Sequence, residues 1–149
     1  MRVSVIGGGE VDEQTYERTR RLGERLAERG HTVVCGGYGG VMEAVCRGAQ
    51  SENGHTVGIL KGTDPREGNA FLDTAIATGI GNARNVLVVL NGDAVVAVDG
   101  GTGTLSELGH ALDTGKPVAG LDSHDLTEFD GFEACETVGE ALESVEQRA

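Results

Sequence analysis

The sequence predicts an α/β fold, a doubly wound, mainly parallel sheet flanked by helices, in a single domain that spans residues 1–149. Three observations support this prediction. A length of 149 residues suits one hydrophobic core. Short apolar runs alternate along the chain with segments whose apolar residues recur at helical spacing. Glycine clusters follow several of the apolar runs, where a strand of such a sheet turns into a helix.

Four apolar runs in the first half of the chain have the length of buried strands. They are Val3–Ile6, Thr32–Cys35, Thr56–Leu60 and a weaker run, Thr74–Thr78. Two helices are predicted between the first three runs, because apolar residues recur there every three or four positions. These residues are Thr19, Leu22 and Leu26 in the first helix, and Val41, Met42, Val45 and Ala49 in the second. Gly30 ends the first of these helices.

Residues 82–98 have two possible structures. The apolar runs Val86–Leu90 and Ala94–Val98 flank Asn91-Gly92, and Asn-Gly between apolar runs is a strong hairpin signal. Alternatively, a helix runs from about Asn82 to Leu90 and the Asn-Gly pair ends it. We favour the helix, because parallel strands require a crossover connection and the rest of the chain alternates strand and helix.

The last third of the chain continues the alternation. Leu105, Leu108 and Leu112 predict a helix by their spacing. A strand follows over Pro117–Leu121. A C-terminal helix is predicted from the apolar residues Ala141, Leu142 and Val145.

Four glycine turns come directly after predicted strands. They are Gly7–Gly9, Gly36–Gly40, Gly79–Gly81 and Gly100–Gly103. In a parallel sheet the carboxyl ends of all strands lie on one edge, and ligands bind at that edge. Glycines also occur simply because strand-to-helix turns are tight. Four clusters with repeated glycines nevertheless favour a ligand-binding edge.

The segment Asp99-Gly100-Gly101-Thr102-Gly103-Thr104-Leu105-Ser106-Glu107 is the strongest candidate for an anion site. It joins a buried strand to the start of a helix, where backbone N–H groups lack intrahelical partners and the helix dipole favours negative charge. Glycines in this turn let a ligand approach the backbone. Glu107 has two possible roles: a carboxylate that acts in catalysis, or the partner of Thr104 in a helix capping box.

Arg84 and Tyr38 are further candidates for the site. Arg84 lies near a predicted helix N-terminus, which is the unfavourable end of the helix dipole for a cation. A nearby anionic ligand or carboxylate makes that position tolerable; alternatively, Arg84 pairs with a surface acid. Tyr38 lies inside a glycine turn, where it either stacks on the base of a ligand or is a surface tyrosine.

Composition and charge argue against several classes of function. The formal net charge is −12 and no basic stripe is present, which argues against a nucleic-acid partner. Cys35, Cys46 and Cys135 form no C-x-x-C pair, so no metal site is predicted. No apolar run approaches the roughly 18 residues of a membrane span, and no signal peptide precedes the first strand. We therefore expect a cytoplasmic protein with no membrane partner.

The acidic residues outnumber Lys and Arg by 24 to 12, and aromatic residues make up only 3% of the chain. This composition is typical of a protein from a high-salt cytoplasm, and we expect a halophilic protein. The glycine turns do not match the dinucleotide fingerprint G-x-G-x-x-G, since Met42 and Ser106 stand where its third glycine belongs. A phosphate-binding P-loop is absent as well.

Two ordered motifs resemble those of a known family. Gly36-Gly37-Tyr38-Gly39-Gly40-Val41-Met42 is similar to the GG-x-x-G-x-M turn of the LOG-like (SLOG) Rossmann-fold proteins, and Asp99–Glu107 resembles their PGG-x-GT-x-x-E motif. With Ala83-Arg84-Asn85, the resemblance extends from residue 1 to about Leu121. Within the superfamily, the chain is most similar to a small branch whose members also resemble molybdenum-cofactor carrier proteins.

The resemblance implies a nucleotide-binding protein that hydrolyses nucleoside 5′-monophosphates to free base and ribose 5-phosphate. It implies that Glu107 supports an oxocarbenium-like transition state, that Arg84 assists there, and that the Gly100–Thr104 turn holds the 5′-phosphate. It also implies a homo-oligomer. No cofactor is required under this interpretation; the bound molecule is a phosphorylated nucleotide or a molybdopterin-type ligand.

Departures from the family pattern weaken hydrolysis more than binding. Asn85 stands in place of a lysine, Asp99 in place of the motif proline, and Ser106 in place of the first glutamate of a pair. The alternative function is a non-catalytic carrier of a phosphorylated cofactor of the molybdopterin type. Under either function, the predicted ligand-binding residues are Gly7, Gly8, Gly36, Gly37, Tyr38, Gly39, Gly40, Met42, Asp99, Gly100, Gly101, Thr102, Gly103 and Thr104.

Overall fold

Seven parallel strands form one sheet in this computed structural model, which describes all residues 1–149. The strands are β1 (Arg2–Gly7), β2 (Thr32–Cys35), β3 (Thr56–Leu60), β4 (Thr74–Ala77), β5 (Ala94–Val98), β6 (Val118–Leu121) and β7 (Phe132–Cys135). The helices are α1 (Glu13–Glu28), α2 (Val41–Ser51), α3 (Asn85–Leu90), α4 (Thr102–Asp113) and α5 (Val138–Arg148). Two 3₁₀ turns, Pro65–Glu67 and Gly81–Arg84, precede β4 and α3.

The strand order is β4-β3-β2-β1-β5-β6-β7, and every neighbouring pair is parallel. The chain therefore winds outward from β1 to β4, returns to the centre, and winds outward again from β5 to β7. The reversal lies between β1 and β5, where Gly7 is paired with Val98. In such a sheet the strand ends at the reversal leave a crevice, which is the usual place for a ligand. The predicted fold class is confirmed.

Helices cover both faces of the sheet, but unequally. On one face α1, α2 and α5 pack on alternate strand residues such as Val5 and Val96. On the other face only α3 and α4 contribute buried residues, which pack on the intervening positions such as Ile6 and Val95. Because successive strand residues point to opposite faces and both faces are covered, a central strand such as β5, Ala94–Val98, is apolar at every position.

Residues 82–98 form a helix followed by a strand, as we favoured, and the hairpin is excluded. The helical crossover begins with the 3₁₀ turn Gly81–Arg84 and continues as α3. Asn91 ends it, with its backbone N–H directed at the carbonyl of Leu87. The buried hydroxyl of Ser4 donates to the Val88 carbonyl at 2.6 Å and so fixes α3 on the sheet.

The strand β7 is absent from the sequence-based prediction. Only its first and last residues, Phe132 and Cys135, are buried, while Glu133 and Ala134 are exposed. A four-residue edge strand with this pattern has no apolar run that would reveal it. None of the helices combines the length and the apolar character needed to cross a membrane.

Candidate phosphate-binding cleft

A cleft of about 200 Å³ lies at the carboxyl ends of β1, β2 and β5, at the reversal of the strand order. Only three of its 13 lining residues are hydrophobic, so a polar group suits it better than an apolar one. The lining residues are Val5, Ile6, Gly7, Gly8, Gly9, Gly36, Met42, Arg84, Asn85, Gly101, Gly103, Thr104 and Glu107.

The N-terminus of α4 forms one wall of the cleft. Gly101 is its N-cap residue and supplies no side-chain hydrogen bond. The first backbone N–H groups of α4 therefore have no intrahelical partner and no capping side chain. Together with the positive end of the helix dipole, these donors favour an anion.

The loop that follows β6 supports the turn Asp99–Gly101 through two hydrogen bonds. The Ser123 hydroxyl donates to the Asp99 carbonyl at 2.9 Å, and His124 Nε2 lies 2.9 Å from the Gly101 carbonyl oxygen. These supporting residues could not be identified from the sequence, because a serine and a histidine in a polar loop carry no pattern. Asp99 itself is exposed and has a positive φ of 52°.

The glycine turns that follow β1 and β2 contact each other on the opposite wall of the cleft. The backbone N–H of Val41, at the start of α2, donates to the Gly8 carbonyl at 3.0 Å. Gly40 has a φ of 60°, and a Cβ on it would lie 2.3 Å from the Gly8 carbonyl oxygen. Only glycine satisfies both the backbone angle and this close approach.

Arg84 is a buried cation in the cleft. Its residue exposure is 6%, and its Nε has no hydrogen-bond partner. Burial lowers the pKa of Arg84, while the charge of Glu107 opposes that shift. Glycine at position 36 leaves space for the guanidinium in this position, since a Cβ there would lie 2.7 Å from Arg84 Nη2. The alternative that Arg84 pairs with a surface acid is wrong.

Glu107 is buried in the same cleft and does not cap α4. The helix begins at Thr102, so Thr104 is its third residue rather than its cap, and no side-chain capping bond is present. The capping-box interpretation of Glu107 is therefore wrong; the chain's capping box joins Thr137 and Glu140 at the start of α5. Burial raises the pKa of Glu107 to about 7, against the opposing effect of the Arg84 charge.

Tyr38 lies behind Arg84 rather than among the residues that line the cleft. Its ring centroid lies 5.7 Å from Arg84 Cζ and 4.8 Å from Lys61 Nζ. Its hydroxyl accepts from the Lys61 backbone N–H at 2.7 Å and donates to Glu67 Oε2 at 3.0 Å. These contacts hold the ring in place, and its π face attracts the guanidinium.

The structure brings most of the predicted site together. The predicted residues that line the cleft are Gly7, Gly8, Gly36, Met42, Arg84, Gly101, Gly103, Thr104 and Glu107. The predicted residues Gly37, Tyr38, Gly39, Gly40, Asp99, Gly100 and Thr102 lie outside its lining. Four lining residues, Val5, Ile6, Gly9 and Asn85, were not among the predicted ligand-binding residues. Two of them had a signal in the sequence, because Gly9 belongs to the Gly7–Gly9 turn and Asn85 to the motif that contains Arg84.

Two relatives cover different shares of the chain. An uncharacterized protein of Archaeoglobus fulgidus is 47% identical over 145 residues, which is 95% of this chain and 92% of that protein. A probable cytokinin riboside 5′-monophosphate phosphoribohydrolase of Oryza sativa subsp. japonica is 39% identical over 91 residues. That second match covers 59% of this chain and 37% of the rice protein.

Two solved structures superpose on almost the whole chain. The molybdenum cofactor binding protein of Rippkaea orientalis has a TM-score of 0.91 at 33% identity, covering 98% of this chain and 95% of that one. The molybdenum cofactor carrier protein of Chlamydomonas reinhardtii has a TM-score of 0.90 at 30% identity, covering 99% and 96%. The model of the SLOG cluster4 family matches residues 1–147. The chain therefore belongs to the SLOG cluster4 family.

Proposed function

We propose that this protein binds the phosphorylated end of a small cofactor in the cleft and acts as a carrier of the molybdopterin type. One observation carries the proposal. The buried guanidinium of Arg84, with its Nε unpartnered, lies in the same cleft as the uncapped N-terminus of α4.

A phosphoryl group satisfies both features at once. A buried cation without a hydrogen-bonded partner is costly, and an anionic ligand removes that cost. Arginine donates to phosphate oxygens from a planar fork, and a helix N-terminus supplies further N–H donors. The two donor sets line one cleft, so a single anion between them receives hydrogen bonds from both.

The size of the cleft indicates which part of the cofactor it takes. The cleft offers about 200 Å³ and opens to solvent. A phosphoryl group and the atoms next to it fit this space, and the remainder of a larger ligand extends through the opening. The carrier function is also supported by the structural relatives, whose names describe molybdenum cofactor binding or carriage over nearly the full chain.

Nucleoside monophosphate hydrolysis is the second candidate, and Glu107 favours it. Its carboxyl group lines the cleft and has an elevated pKa of about 7. A carboxylate in that position can stabilise an oxocarbenium-like transition state at the anomeric carbon of a sugar whose 5′-phosphate binds in the same cleft. The rice relative, whose name describes this reaction, matches only 59% of the chain.

Product analysis separates the two functions. The protein is incubated in high salt with AMP, GMP, CMP and UMP, and ribose 5-phosphate is measured. We expect no release from any of them, together with thermal stabilisation by a phosphorylated pterin. Release of ribose 5-phosphate that disappears in Glu107→Gln contradicts the carrier function and establishes hydrolysis.

Replacing Arg84 with methionine tests the phosphate site. The change removes the buried charge but keeps apolar volume, so we expect phosphate and AMP affinity to fall by about tenfold or more in calorimetric titrations. The thermal midpoint of the ligand-free variant should rise, because a buried charge without a salt bridge has been removed. Arg66→Met is the matched control, since the Arg66 side chain is 91% exposed. Unchanged affinity in Arg84→Met contradicts the site.

The elevated pKa of Glu107 predicts a specific dependence of stability on pH. The pKa rises from 4.5 to about 7 on folding, so the folded state binds the proton more tightly than the unfolded state. The resulting stabilisation is complete below about pH 4.5 and is lost as the pH rises to about 7. Relative to Glu107→Gln, the wild type should lose about 3 kcal/mol across this interval.

Urea unfolding of both proteins from pH 4 to 8 measures that difference. Glu143→Gln is the control, because Glu143 is an exposed glutamate on α5. Parallel stability curves for the wild type and Glu107→Gln contradict a buried, neutral carboxyl group.

We further propose that the protein is a homo-oligomer whose interface includes the α4 side of the sheet. Leu105 and Phe129 are 42% and 52% exposed, and they line one apolar groove with Leu112 and Leu126. Only α3 and α4 cover this face of the sheet. A second copy of the chain is the occupant that we propose, because it presents the same apolar groove and a symmetric pair buries both.

Light scattering after size exclusion tests the interface. The wild type should run at a multiple of the 15.4 kDa chain. The Leu105→Glu variant should have the molar mass of the monomer, because the substitution places a charge in the apolar contact. Gln14→Glu adds the same charge to an exposed position on α1, on the opposite face, and should leave the mass unchanged. A monomeric wild type contradicts the proposal.

A further inference from the structure

We propose that Ser123 and His124 are positioning residues for the phosphate site. Through their hydrogen bonds to the turn Asp99–Gly101, they hold the N-terminus of α4 in the conformation in which its first turn faces the cleft. The inference rests on the proposed binding of a phosphorylated ligand in the cleft. It explains how a turn with two adjacent glycines presents backbone donors before the ligand binds.

The turn that precedes α4 has few constraints of its own. Asp99 and Gly100 have φ values of 52° and 108°, and neither Gly100 nor Gly101 has a side chain that restricts the backbone. Gly101 also provides no side-chain cap for α4. Without external contacts, two consecutive glycines exchange among many backbone conformations. A ligand that bound to such a turn would have to order it, at a cost in affinity.

Two hydrogen bonds from the loop after β6 end on carbonyl groups of this turn. The Ser123 hydroxyl donates to the Asp99 carbonyl at 2.9 Å. His124 Nε2 lies 2.9 Å from the Gly101 carbonyl oxygen, and because a carbonyl oxygen only accepts, Nε2 carries the proton. In a planar trans peptide, the N–H of the next residue points away from the carbonyl. Fixing these two carbonyls therefore fixes the direction of the N–H groups that follow them.

Helix α4 does not need the hydrogen bond from His124. The backbone N–H of Leu105 already donates to the Gly101 carbonyl at 3.0 Å, which is the first bond within the helix. His124 uses the second lone pair of the same oxygen. A second hydrogen bond to this oxygen polarises the peptide group and makes the N–H of Thr102 a stronger donor. The imidazole therefore acts on the donors of the helix N-terminus rather than completing the helix.

The loop that carries the two side chains is held independently of the turn. At its start, Arg18 Nη1 lies 2.6 Å from Asp122 Oδ2, which connects the loop to α1. Further along, the Asp125 carboxylate accepts from the backbone N–H of Thr127 at 3.1 Å and from its hydroxyl at 2.7 Å. Because the loop has its own supports, its bonds to the glycine turn constrain the turn. The two donor side chains are not part of the cleft lining, so they act on a ligand only through α4.

Calorimetric titration with inorganic phosphate tests this role. Ser123→Ala removes a single oxygen atom, and His124→Leu removes the imidazole donor. Each variant should bind phosphate about three- to tenfold more weakly than the wild type, as expected for the loss of one hydrogen bond. His124→Gln, whose amide nitrogen replaces Nε2, should restore most of the affinity. Thr127→Val removes a hydrogen bond of the same loop that does not involve the turn, and it should bind phosphate as the wild type does.

Backbone NMR relaxation distinguishes positioning from a general loss of stability. In ligand-free His124→Leu, the order parameters of Gly100 and Gly101 should fall, and saturating phosphate should restore them. In the wild type they should be the same with and without phosphate. Ser123 and His124 are only half-buried, so the thermal midpoints of the variants should stay near that of the wild type. Ser123→Ala, the smaller change, decides the test if His124→Leu lowers the thermal midpoint.

The outcomes separate this inference from the function on which it rests. Phosphate binding by the wild type with unchanged affinity in Ser123→Ala and His124→Leu overturns the positioning role and leaves the phosphate site intact. Weaker binding that His124→Gln does not restore also overturns it, because the loss then has a cause other than the hydrogen bond to Gly101. Absence of phosphate binding by the wild type overturns the proposed function and this inference with it.

Discussion

The cost of burying the Arg84 cation is the constraint on which this site depends. The chain carries a formal net charge of −12, yet this guanidinium forms no salt bridge and has an unbonded Nε. Its surroundings reduce the cost without neutralising the charge: Gly36 leaves space for it, the Tyr38 ring attracts it, and Glu107 contributes a favourable charge. A folded protein that retains such a group loses stability, which is characteristic of a binding site.

The topology of the sheet explains why this cation meets the helix N-terminus. Because the strand order reverses between β1 and β5, the turns that follow these strands diverge to opposite faces and leave a crevice. The turn after β1 contacts the start of α2 through the Gly8 carbonyl, and the turn after β5 leads into α4. Arg84 enters from the crossover that precedes β5, so three separate segments supply one small cleft.

Sequence patterns predicted the fold and the centre of the site, since both depend on regular periodicity and on glycine turns. The hairpin signal at Asn91-Gly92 was overridden by the requirement that β5 pair in parallel with β1. The strand β7 was missed because half of it faces solvent. The Thr104-x-x-Glu107 pattern left the role of Glu107 open, because the same pattern also occurs inside a helix that begins at an earlier residue. The structure starts α4 at Thr102, and Glu107 lines the cleft instead of capping the helix. Asn85 was noted in the sequence only as a departure from the family motif, and the structure places it in the cleft lining.

The most direct test of the central claim is the NMR signal of the Arg84 side chain during titration with inorganic phosphate. The Nε–Hε resonance is identified by its absence from the spectrum of a protein that lacks this arginine. We predict a saturable shift of that resonance together with the backbone amides of Gly103 and Thr104, which line the cleft, since one phosphate contacts both donor sets. Phosphate-induced shifts confined to exposed arginines such as Arg66, with the Arg84 resonance unmoved, would contradict the claim that this buried cation is the anchor of the site.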